Sequence, residues 1–250
     1  MAKIIAVANQ KGGVGKTTTT MNLGAALSER KNRVLLIDLD PQSSLTIALK
    51  IDLEHLQYSI YDALLEKASL EKVHMRLKDQ DFDILPSNIH LANAESELLF
   101  VMEREFRLKS LLAPVKHDYD YILIDCPPSL GVLTTNALTA SDHILVPVQT
   151  DYMAMQGAKL LFATVSKIQE RLNPDVTVSV VLTMMYQKTK HSTEVESVVR
   201  DQLQNSVHKV IIPGSVRVKE APIVGESILT YDTKSPVSSA YRELAKEIAP

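Results

Sequence analysis

The chain alternates short apolar runs with longer segments whose apolar residues recur at helical spacing. The short runs have the length and β-branched content of buried strands. Predicted strands lie at residues 4–8, 33–38, 82–85, 121–125, 143–148, 176–183 and 209–212. The clearest predicted helices lie at residues 15–28, 153–172 and 193–204. This alternation predicts an α/β fold with a doubly wound, mostly parallel sheet flanked by helices.

No internal repeat, low-complexity tract or linker interrupts the alternation, so residues 1–250 are interpreted as a single domain. Residues 52–78 form the least regular stretch and are predicted to hold short helices. Near the end of the chain, Tyr241, Leu244, Ala245 and Ile248 recur on one narrow helical stripe. Such a stripe is typical of a helix packed against a core.

Composition narrows the class of protein. Hydrophobic residues make up 45% of the chain, which is enough for a core. No apolar run approaches the ~20 residues of a membrane span. The first residues lead directly into a predicted strand, so a cleavable signal peptide is not expected. Cys126 is the single cysteine, which excludes an intrachain disulfide and favours a reducing compartment. We therefore predict a cytoplasmic protein.

A glycine-rich segment, QKGGVGKTT, joins the first predicted strand to the first predicted helix. Its glycines allow backbone N–H groups to turn toward phosphate oxygens. Lys16 is expected to reach the β and γ phosphates, and the hydroxyl of Thr17 to ligate Mg²⁺. The predicted P-loop, with ATP and Mg²⁺ as cofactors, comprises Lys11, Gly12, Gly13, Val14, Gly15, Lys16, Thr17 and Thr18.

Carboxylates follow two further predicted strands. Asp40 lies just after the strand 33–38, and Asp125 closes the strand 121–125. The carboxyl ends of parallel strands meet at the edge of the sheet where ligands bind. We therefore expect Asp125 to hold a Mg²⁺-bound water. Asp40 is expected to orient the attacking water and to contribute to the metal site.

A second lysine, Lys11, lies five residues before Lys16, and this loop resembles the deviant Walker A motif K-G-G-x-G-K-[ST] of the ParA/MinD family. The stretch DLDPQ at 38–42 resembles the switch I of that family, and DCPPSLG at 125–131 resembles its Walker B and switch II. The resemblance covers about residues 3 to 248. It implies a homodimer that encloses two ATP molecules, in which Lys11 reaches the nucleotide of the partner subunit.

Within that family, the chain resembles the ParA/Soj-type partition ATPases. The stretch PVQTDY at 147–152 is similar to their segment after the fifth strand, which implies that Asp151 lies at the dimer seam near the nucleotide. The stretches LTMM at 182–185 and IIP at 211–213 resemble the segments that form the adenine pocket. This resemblance implies contact of Met184 and Pro213 with the nucleotide.

The stretch SVRVKEAP at 215–222 resembles the DNA-contact segment of these ATPases, which implies that Arg217 and Lys219 bind DNA. The family commonly has arginine at position 188, where Lys188 of this chain keeps the positive charge. It often has arginine at position 214 as well, where Gly214 of this chain has no charge. Residues 185–219 carry six basic and three acidic residues, a net +3 that leaves −6 on the rest of the chain. A basic surface suits non-specific contact with double-stranded DNA, although an ordinary solvated face would have the same charge.

Other members of the family are distinguished by features outside the loop. An electron-transfer iron protein needs two cysteines per subunit for its cluster, and this chain has one. A MinD-like membrane positioner has a basic amphipathic helix at its end, and a related tyrosine kinase has a cluster of tyrosines there. ATP-dependent positioning of a protein cargo over the nucleoid stays open.

The resemblance therefore implies a DNA-partitioning ATPase with weak intrinsic hydrolysis that acts on chromosomes or plasmids. Its expected partners are a second copy of the chain, DNA and a ParB-like centromere-binding protein that stimulates hydrolysis. The P-loop begins at residue 10, so an N-terminal helix-turn-helix is not expected, and DNA binding should ignore sequence. The expected location is the nucleoid.

Overall fold

One eight-stranded sheet organises the chain in a computed structural model that describes residues 1–77, 80–149, 152–183, 190–203 and 206–249. Its strands are β1 (Lys3–Val7), β2 (Val34–Asp38), β3 (Met75–Arg76), β4 (Asp83–Leu85), β5 (Tyr121–Asp125), β6 (His143–Gln149), β7 (Thr177–Thr183) and β8 (Val207–Ile212). Their order across the sheet is β3-β4-β2-β5-β1-β6-β7-β8. Within these strands only β3 is antiparallel to its neighbour, so the predicted mostly parallel sheet is confirmed.

Helices connect the strands and cover both faces of the sheet. In the described part of the chain they are α1 (Lys16–Glu29), α2 (Ser44–Ala48), α3 (Ile60–Leu64), α4 (Leu70–Val73), α5 (Leu91–Glu97), α6 (Arg107–Leu112), α7 (Val132–Ala140), α8 (Tyr152–Arg171), α9 (Lys190–Leu203), α10 (Arg217–Glu220), α11 (Ile228–Tyr231) and α12 (Pro236–Ile248). The seven predicted strands and three predicted helices are all present within a few residues of their predicted bounds. The short helices expected in 52–78 are α3 and α4, and β3 is an addition.

The alternation of side chains along each strand divides the core into two layers. Ile4 and Ile5 are both buried, but successive strand residues point to opposite faces of the sheet. Ile4 packs into the layer formed with α5, α6, α7 and α8. Ile5 packs into the layer formed with α1 and α12. Continuous apolar runs such as β2, buried along its whole length, are what a sheet covered on both faces requires.

The last helix belongs to the core, as its stripe of apolar residues predicts. Tyr241, Leu244, Ala245 and Ile248 are buried, and α12 packs against α1 and β8. Ser235 caps its first turn by accepting a hydrogen bond from the backbone N–H of Ser238 at 3.1 Å. Among the helices that the structure describes, none combines the length and apolar character needed to cross a membrane.

The strand order sets the position of the candidate site. β1 lies between β5 and β6, and β5 lies between β1 and β2. The last residue of β1, Val7, is in register with Asp125, which is in turn in register with Asp38 at the end of β2. The loop that follows β1 and the carboxylates that end β2 and β5 therefore share one edge of the sheet, as predicted.

Candidate nucleotide site

The P-loop connects β1 to α1 through backbone conformations that favour glycine. Gly13 has φ +74° and Gly15 has φ +93°, and Gly15 is the N-cap residue of α1. Added Cβ atoms at Gly12, Gly13 and Gly15 would meet no heavy atom within 4 Å. The loop is therefore an open concave turn whose backbone continues into the N-terminus of a 14-residue helix. N–H groups at such an end form an anion-binding site.

Side chains hold this loop to the neighbouring strands. Asn9 Nδ2 donates to the carbonyl of Pro147 at 2.7 Å, and Asn9 Oδ1 accepts from the backbone N–H of Lys11 at 3.0 Å. Thr183 Oγ1 donates to the carbonyl of Val14 at 3.2 Å. The ends of β6 and β7 therefore fix both halves of the loop before any ligand enters, which lowers the entropy lost on binding.

Lys16 and Thr17, at the start of α1, face the carboxylate at the end of β5. Thr17 Oγ1 donates to Asp125 Oδ2 at 2.6 Å. Lys16 is 8% exposed, and its Nζ donates to the carbonyl of Lys11 at 3.3 Å. Burial lowers the pKa of Lys16, while the nearby Asp125 opposes this shift. The loop thus presents a largely desolvated ammonium, which suits a strongly negative ligand.

Asp38 and Asp125 are fully buried next to each other on adjacent strands. Burial raises the pKa of both carboxyl groups; the charge of Asp40 adds to the effect at Asp38, and the charges of Asp38 and Asp40 add to it at Asp125. Asp38 Oδ2 accepts from the backbone N–H and the hydroxyl of Thr46 at 2.8 and 2.7 Å. Asp125 Oδ1 is buried and has no hydrogen-bond partner.

That unpartnered oxygen is the observation that fits a magnesium ion. A buried acceptor without a donor is costly, and a metal-bound water would supply the missing partner. The described residues include no group of three or more His, Cys, Asp or Glu side chains that could hold a metal. The donor set is instead one carboxylate and one hydroxyl beside a phosphate loop, which is the arrangement typical of Mg²⁺ bound with a nucleotide.

Asp40 lies just beyond β2, where its backbone is held from both sides. Its N–H donates to Asp38 Oδ1 at 3.2 Å, and its carbonyl accepts from the hydroxyl of Ser87 at 2.8 Å. Its own Oδ1 accepts from the backbone N–H of Gln42 at 2.8 Å. Asp40 is 8% exposed, so its carboxylate is held in place at the same sheet edge as Asp125.

A cavity of about 260 Å³ adjoins the loop on the side of β8 and α12. Pro213, which the resemblance expects to contact the nucleotide, lines this cavity. Lys219, which is expected to contact DNA, is exposed and also lines this cavity. The remaining lining residues are Val14, Gly15, Thr18, Thr183, Ile212, Gly214, Ser215, Val218, Pro222 and Tyr241. This mainly apolar wall next to the phosphate loop has the character of a site for a flat base.

Arg217 begins α10, directly beyond the cavity. Its side chain is 60% exposed and forms an ion pair with Glu220 at 3.2 Å. The guanidinium also lies over the ring of Tyr231, 5.9 Å from the centroid. Arg217 therefore faces solvent, while Val218 and Lys219 of the same short helix line the cavity.

Lys11 lies at the other side of the loop, half-buried near the end of β6. Its Nζ donates to Gln149 Oε1 at 3.0 Å. Gln149 was not among the predicted site residues, because its contacts with the loop join positions far apart in the sequence. Three predicted site residues, Asp151, Met184 and Lys188, lie outside the described residues.

The chain is similar in sequence to a family of known proteins. A family model described as AAA domain matches residues 2–178. The sporulation initiation inhibitor protein Soj of Bacillus subtilis is 46% identical over 100% of this chain and 99% of its own. The chromosome partitioning protein ParA of Myxococcus xanthus is 39% identical over 99% of this chain and 88% of its own.

A similar solved structure is that of a Mycobacterium smegmatis protein named cobyrinic acid a,c-diamide synthase, with a bound ATP analogue and magnesium. It superposes with a TM-score of 0.88 at 39% identity, over 99% of this chain and 94% of the other. Near-complete coverage in both directions means that the whole domain, and not the loop alone, is shared.

Proposed function

Because the chain belongs to the family of the ParA and Soj partition proteins, we propose that it is an ATP-dependent DNA-partitioning ATPase. In this proposal its ATP-bound homodimer binds double-stranded DNA without regard to sequence. A ParB-like centromere-binding protein then stimulates hydrolysis, and the dimer leaves the nucleoid DNA. The observation that carries the proposal is Lys11, a second lysine beside a phosphate loop that already contains Lys16.

ATP and Mg²⁺ fit the residues of the site. Backbone N–H groups from Gly12 to Thr18 would hold the phosphates, and the Lys16 ammonium would compensate their charge. Thr17 would ligate Mg²⁺ directly, and Asp125 would hold one of its waters. The metal supplies charge neutralisation at the phosphates when bound. The cavity lined by Pro213 and Tyr241 would take the adenine.

Asp40 is the residue we assign to orient the attacking water. Hydrogen bonds with Asp38, Ser87 and Gln42 fix its position, so its carboxylate does not need to reorganise before the reaction. Positioning of this kind supplies most of the protein's contribution to phosphoryl transfer.

The proposal of a dimer rests on Lys11. Lys16 occupies the loop of its own subunit, and a second ammonium at the same phosphates would be repelled by the first. Lys11 instead lies toward Gln149 at the end of β6. We assign it to the nucleotide of the partner subunit, so that ATP joins the two subunits. Asp151 is proposed to lie at the same seam.

DNA binding is assigned to the solvent-facing side of α10 and its neighbours. Arg217 and Lys219 are both exposed and are both assigned to DNA, and Lys219 also borders the cavity beside the P-loop, which Val218 of the same helix lines. A nucleotide in the cavity would therefore contact one side of α10 while DNA contacts the other, which gives a short physical route between the two ligands. Lys188 is proposed as a further contact. Dimerisation doubles the patch and raises the avidity for DNA.

The name of the M. smegmatis structure raises a different activity, the formation of amides. When glutamine supplies the nitrogen for such a reaction, a reactive cysteine thiolate is the usual nucleophile. Cys126 is fully buried in this chain, and burial raises the pKa of its thiol, which makes it unreactive. The lysine-bearing loop and the higher identity to Soj therefore favour the partition function.

Membrane positioning and cargo positioning differ from DNA partition in what the dimer carries. A membrane role of the MinD type needs an apolar helical face that is available to lipid, and the apolar face of α12 is buried against α1 and β8. Positioning of a protein cargo uses the same ATPase and the same DNA binding. Only identification of the stimulating partner would distinguish that role from DNA partition.

The test is ATP-dependent DNA binding by wild-type protein and Arg217→Glu. We expect wild type to bind a non-specific duplex with ATP and Mg²⁺ and much more weakly with ADP. Loss of the Arg217 phosphate contacts in a dimer should lower affinity by roughly tenfold or more and flatten its salt dependence. Binding is measured by fluorescence anisotropy at two salt concentrations, with dimerisation followed by light scattering.

Arg33→Glu is the matched control. Arg33 is also 60% exposed and paired with an acid, Asp120 at 3.3 Å, but it precedes β2 at the opposite edge of the sheet. This variant should bind DNA nearly as wild type does. An Arg217→Glu protein that dimerises and keeps wild-type DNA affinity would place the DNA site elsewhere, and DNA binding independent of nucleotide would contradict the proposed cycle.

A further inference from the structure

Gln149, the last residue of β6, bridges Lys11 and the P-loop backbone. Its Oε1 accepts from Lys11 Nζ at 3.0 Å, and its Nε2 donates to the carbonyl of Gly13 at 3.0 Å. The strand is tied to the loop a second time by Asn9, which bonds the carbonyl of Pro147 and the backbone N–H of Lys11. Both the backbone and the ammonium of Lys11 are thus held toward β6 of their own subunit.

We propose that Gln149 is a positioning residue that retains Lys11 in its own subunit and thereby sets how readily the lysine engages a second subunit. This inference rests on the proposed function, in which Lys11 acts across the dimer. Gln149 is one of the groups that contact Lys11, and its amide also binds the loop at the carbonyl of Gly13. When Lys11 crosses to the partner's nucleotide, its charge-assisted bond to Gln149 is exchanged for phosphate contact.

The chemistry of an amide suits this role. A neutral carbonyl oxygen directs an ammonium without the full attraction of a carboxylate, so Lys11 is aligned but exchangeable. The Nε2 bond to Gly13 keeps the amide from turning away, because each end of the side chain has a defined partner. The dimerisation equilibrium therefore includes the loss of one bond to Lys11, and that loss lowers the apparent affinity between subunits.

The proposal makes opposite predictions for two substitutions. Gln149→Ala removes one of the bonds that hold the Lys11 ammonium, so the dimer with a non-hydrolysable ATP analogue and Mg²⁺ should form about tenfold more tightly, given the usual strength of a bond to a charged group. Gln149→Glu adds an ion pair with Lys11 and should weaken the dimer by a comparable factor. Analytical ultracentrifugation over a range of protein concentrations measures both dissociation constants.

Damage to the loop must be separated from an effect on Lys11. Both substitutions remove the donor to Gly13, so both would lower nucleotide affinity by a similar amount if that bond mattered. Titration of each variant with a fluorescent ATP analogue in a Lys11→Ala background measures this shared effect. Gln149→Met, which keeps the side-chain length and lacks both bonds, should dimerise as Gln149→Ala does.

Gln80→Ala is the matched control. Gln80 also donates its amide to a glycine carbonyl, that of Gly225 at 3.2 Å, and this contact lies away from the P-loop. Wild-type dimerisation is expected for this variant. Equal weakening by Ala, Met and Glu at position 149, or no change in any of them, would overturn the inference alone. Wild-type protein that stays monomeric with the ATP analogue would overturn the proposed function as well.

Discussion

Buried neighbours of Asp40 hold its backbone in place through hydrogen bonds. Asp38 is fully buried and accepts from the backbone N–H of Asp40 and from Thr46. The hydroxyl of Thr46 also accepts a hydrogen bond from the backbone N–H of Ser87. The hydroxyl of Ser87 in turn donates to the carbonyl of Asp40 at 2.8 Å. This closed set of bonds stabilises the backbone around Asp40, so its carboxylate can be replaced without loss of the surrounding structure.

Replacement of Asp40 by alanine should separate ATP binding from hydrolysis. We expect Asp40→Ala to bind ATP with nearly wild-type affinity, because the phosphates are held by other residues. Its partner-stimulated turnover should fall by roughly 10²- to 10⁴-fold, and the ATP-bound dimer should accumulate on DNA. Phosphate release and the lifetime of the DNA complex are the measurements.

Asp52→Ala is the control for this prediction. Asp52 also accepts from the backbone N–H two residues later, that of Glu54 at 3.0 Å, but it is exposed and lies outside the site. Its substitution should leave turnover unchanged. Normal turnover in Asp40→Ala would mean that another group orients the water.

At the scale of elements, a chain of hydrogen bonds runs from β6 to α12. His143 lies 2.7 Å from both Thr177 Oγ1 and Ser179 Oγ through its two ring nitrogens. Ser179 Oγ lies 2.9 Å from His208 Nε2, and His208 Nδ1 lies 2.8 Å from Glu247 Oε2. Glu247 therefore holds α12 to the start of β8, the edge strand. The last residue of β8, Ile212, lines the cavity beside the P-loop.

The burial of His143 within this chain of bonds should make its contribution to stability sensitive to mild acid. Burial lowers the pKa of His143 from 6.5 to about 4, and the positive charge of Lys3 contributes to the shift. Between these values the unfolded chain binds a proton that the folded chain does not. The contribution of His143 to the free energy of unfolding should therefore fall by roughly 3 kcal/mol as pH decreases through this window, while the buried carboxyls of Asp38 and Asp125, whose pKa values are raised, act in the opposite direction. Urea denaturation at several pH values measures it.

His143→Gln should flatten that dependence, because the titrating group is removed. The exposed His117 provides the comparison, and His117→Gln should keep the wild-type slope. An unchanged slope in His143→Gln would show that another group causes the pH dependence.

The elements that the sequence predicted are those whose signal is local. Strands such as β2 and the P-loop are encoded by contiguous residues. β3 was missed because two residues have no periodicity, and its pairing with β4 depends on tertiary contacts. Gln149 was missed for a similar reason, since it meets Lys11 across 138 positions. Tyr241 was predicted as core, and it is, yet it also lines the cavity.

For the whole molecule, Lys11 is the residue that should separate a monomer from a dimer. Lys11→Ala is expected to bind ATP with nearly wild-type affinity, because Lys16 and the loop backbone hold the phosphates. The variant should fail to dimerise with ATP and, as a consequence, should bind DNA weakly. Light scattering with and without ATP checks the first effect, and duplex binding checks the second.

Lys246→Ala is the control for this variant. Lys246 is paired with Glu243 on the exposed side of α12, away from the loop, and should dimerise normally when replaced. ATP-induced dimers of Lys11→Ala with wild-type stability would remove the proposed role across the interface.

The central position of β1 has a consequence during synthesis of the protein on the ribosome. β1 pairs with β5 and β6, so residues 3–7 leave the ribosome well before residues 121–125 and 143–145 with which they pair. At the usual speed of translation the first strand waits on the order of ten seconds for its neighbours. The loop, fixed by Pro147, and the cavity, closed by Tyr241, follow later still. A nascent chain therefore carries its ATP motif for most of its synthesis without a site in which to use it.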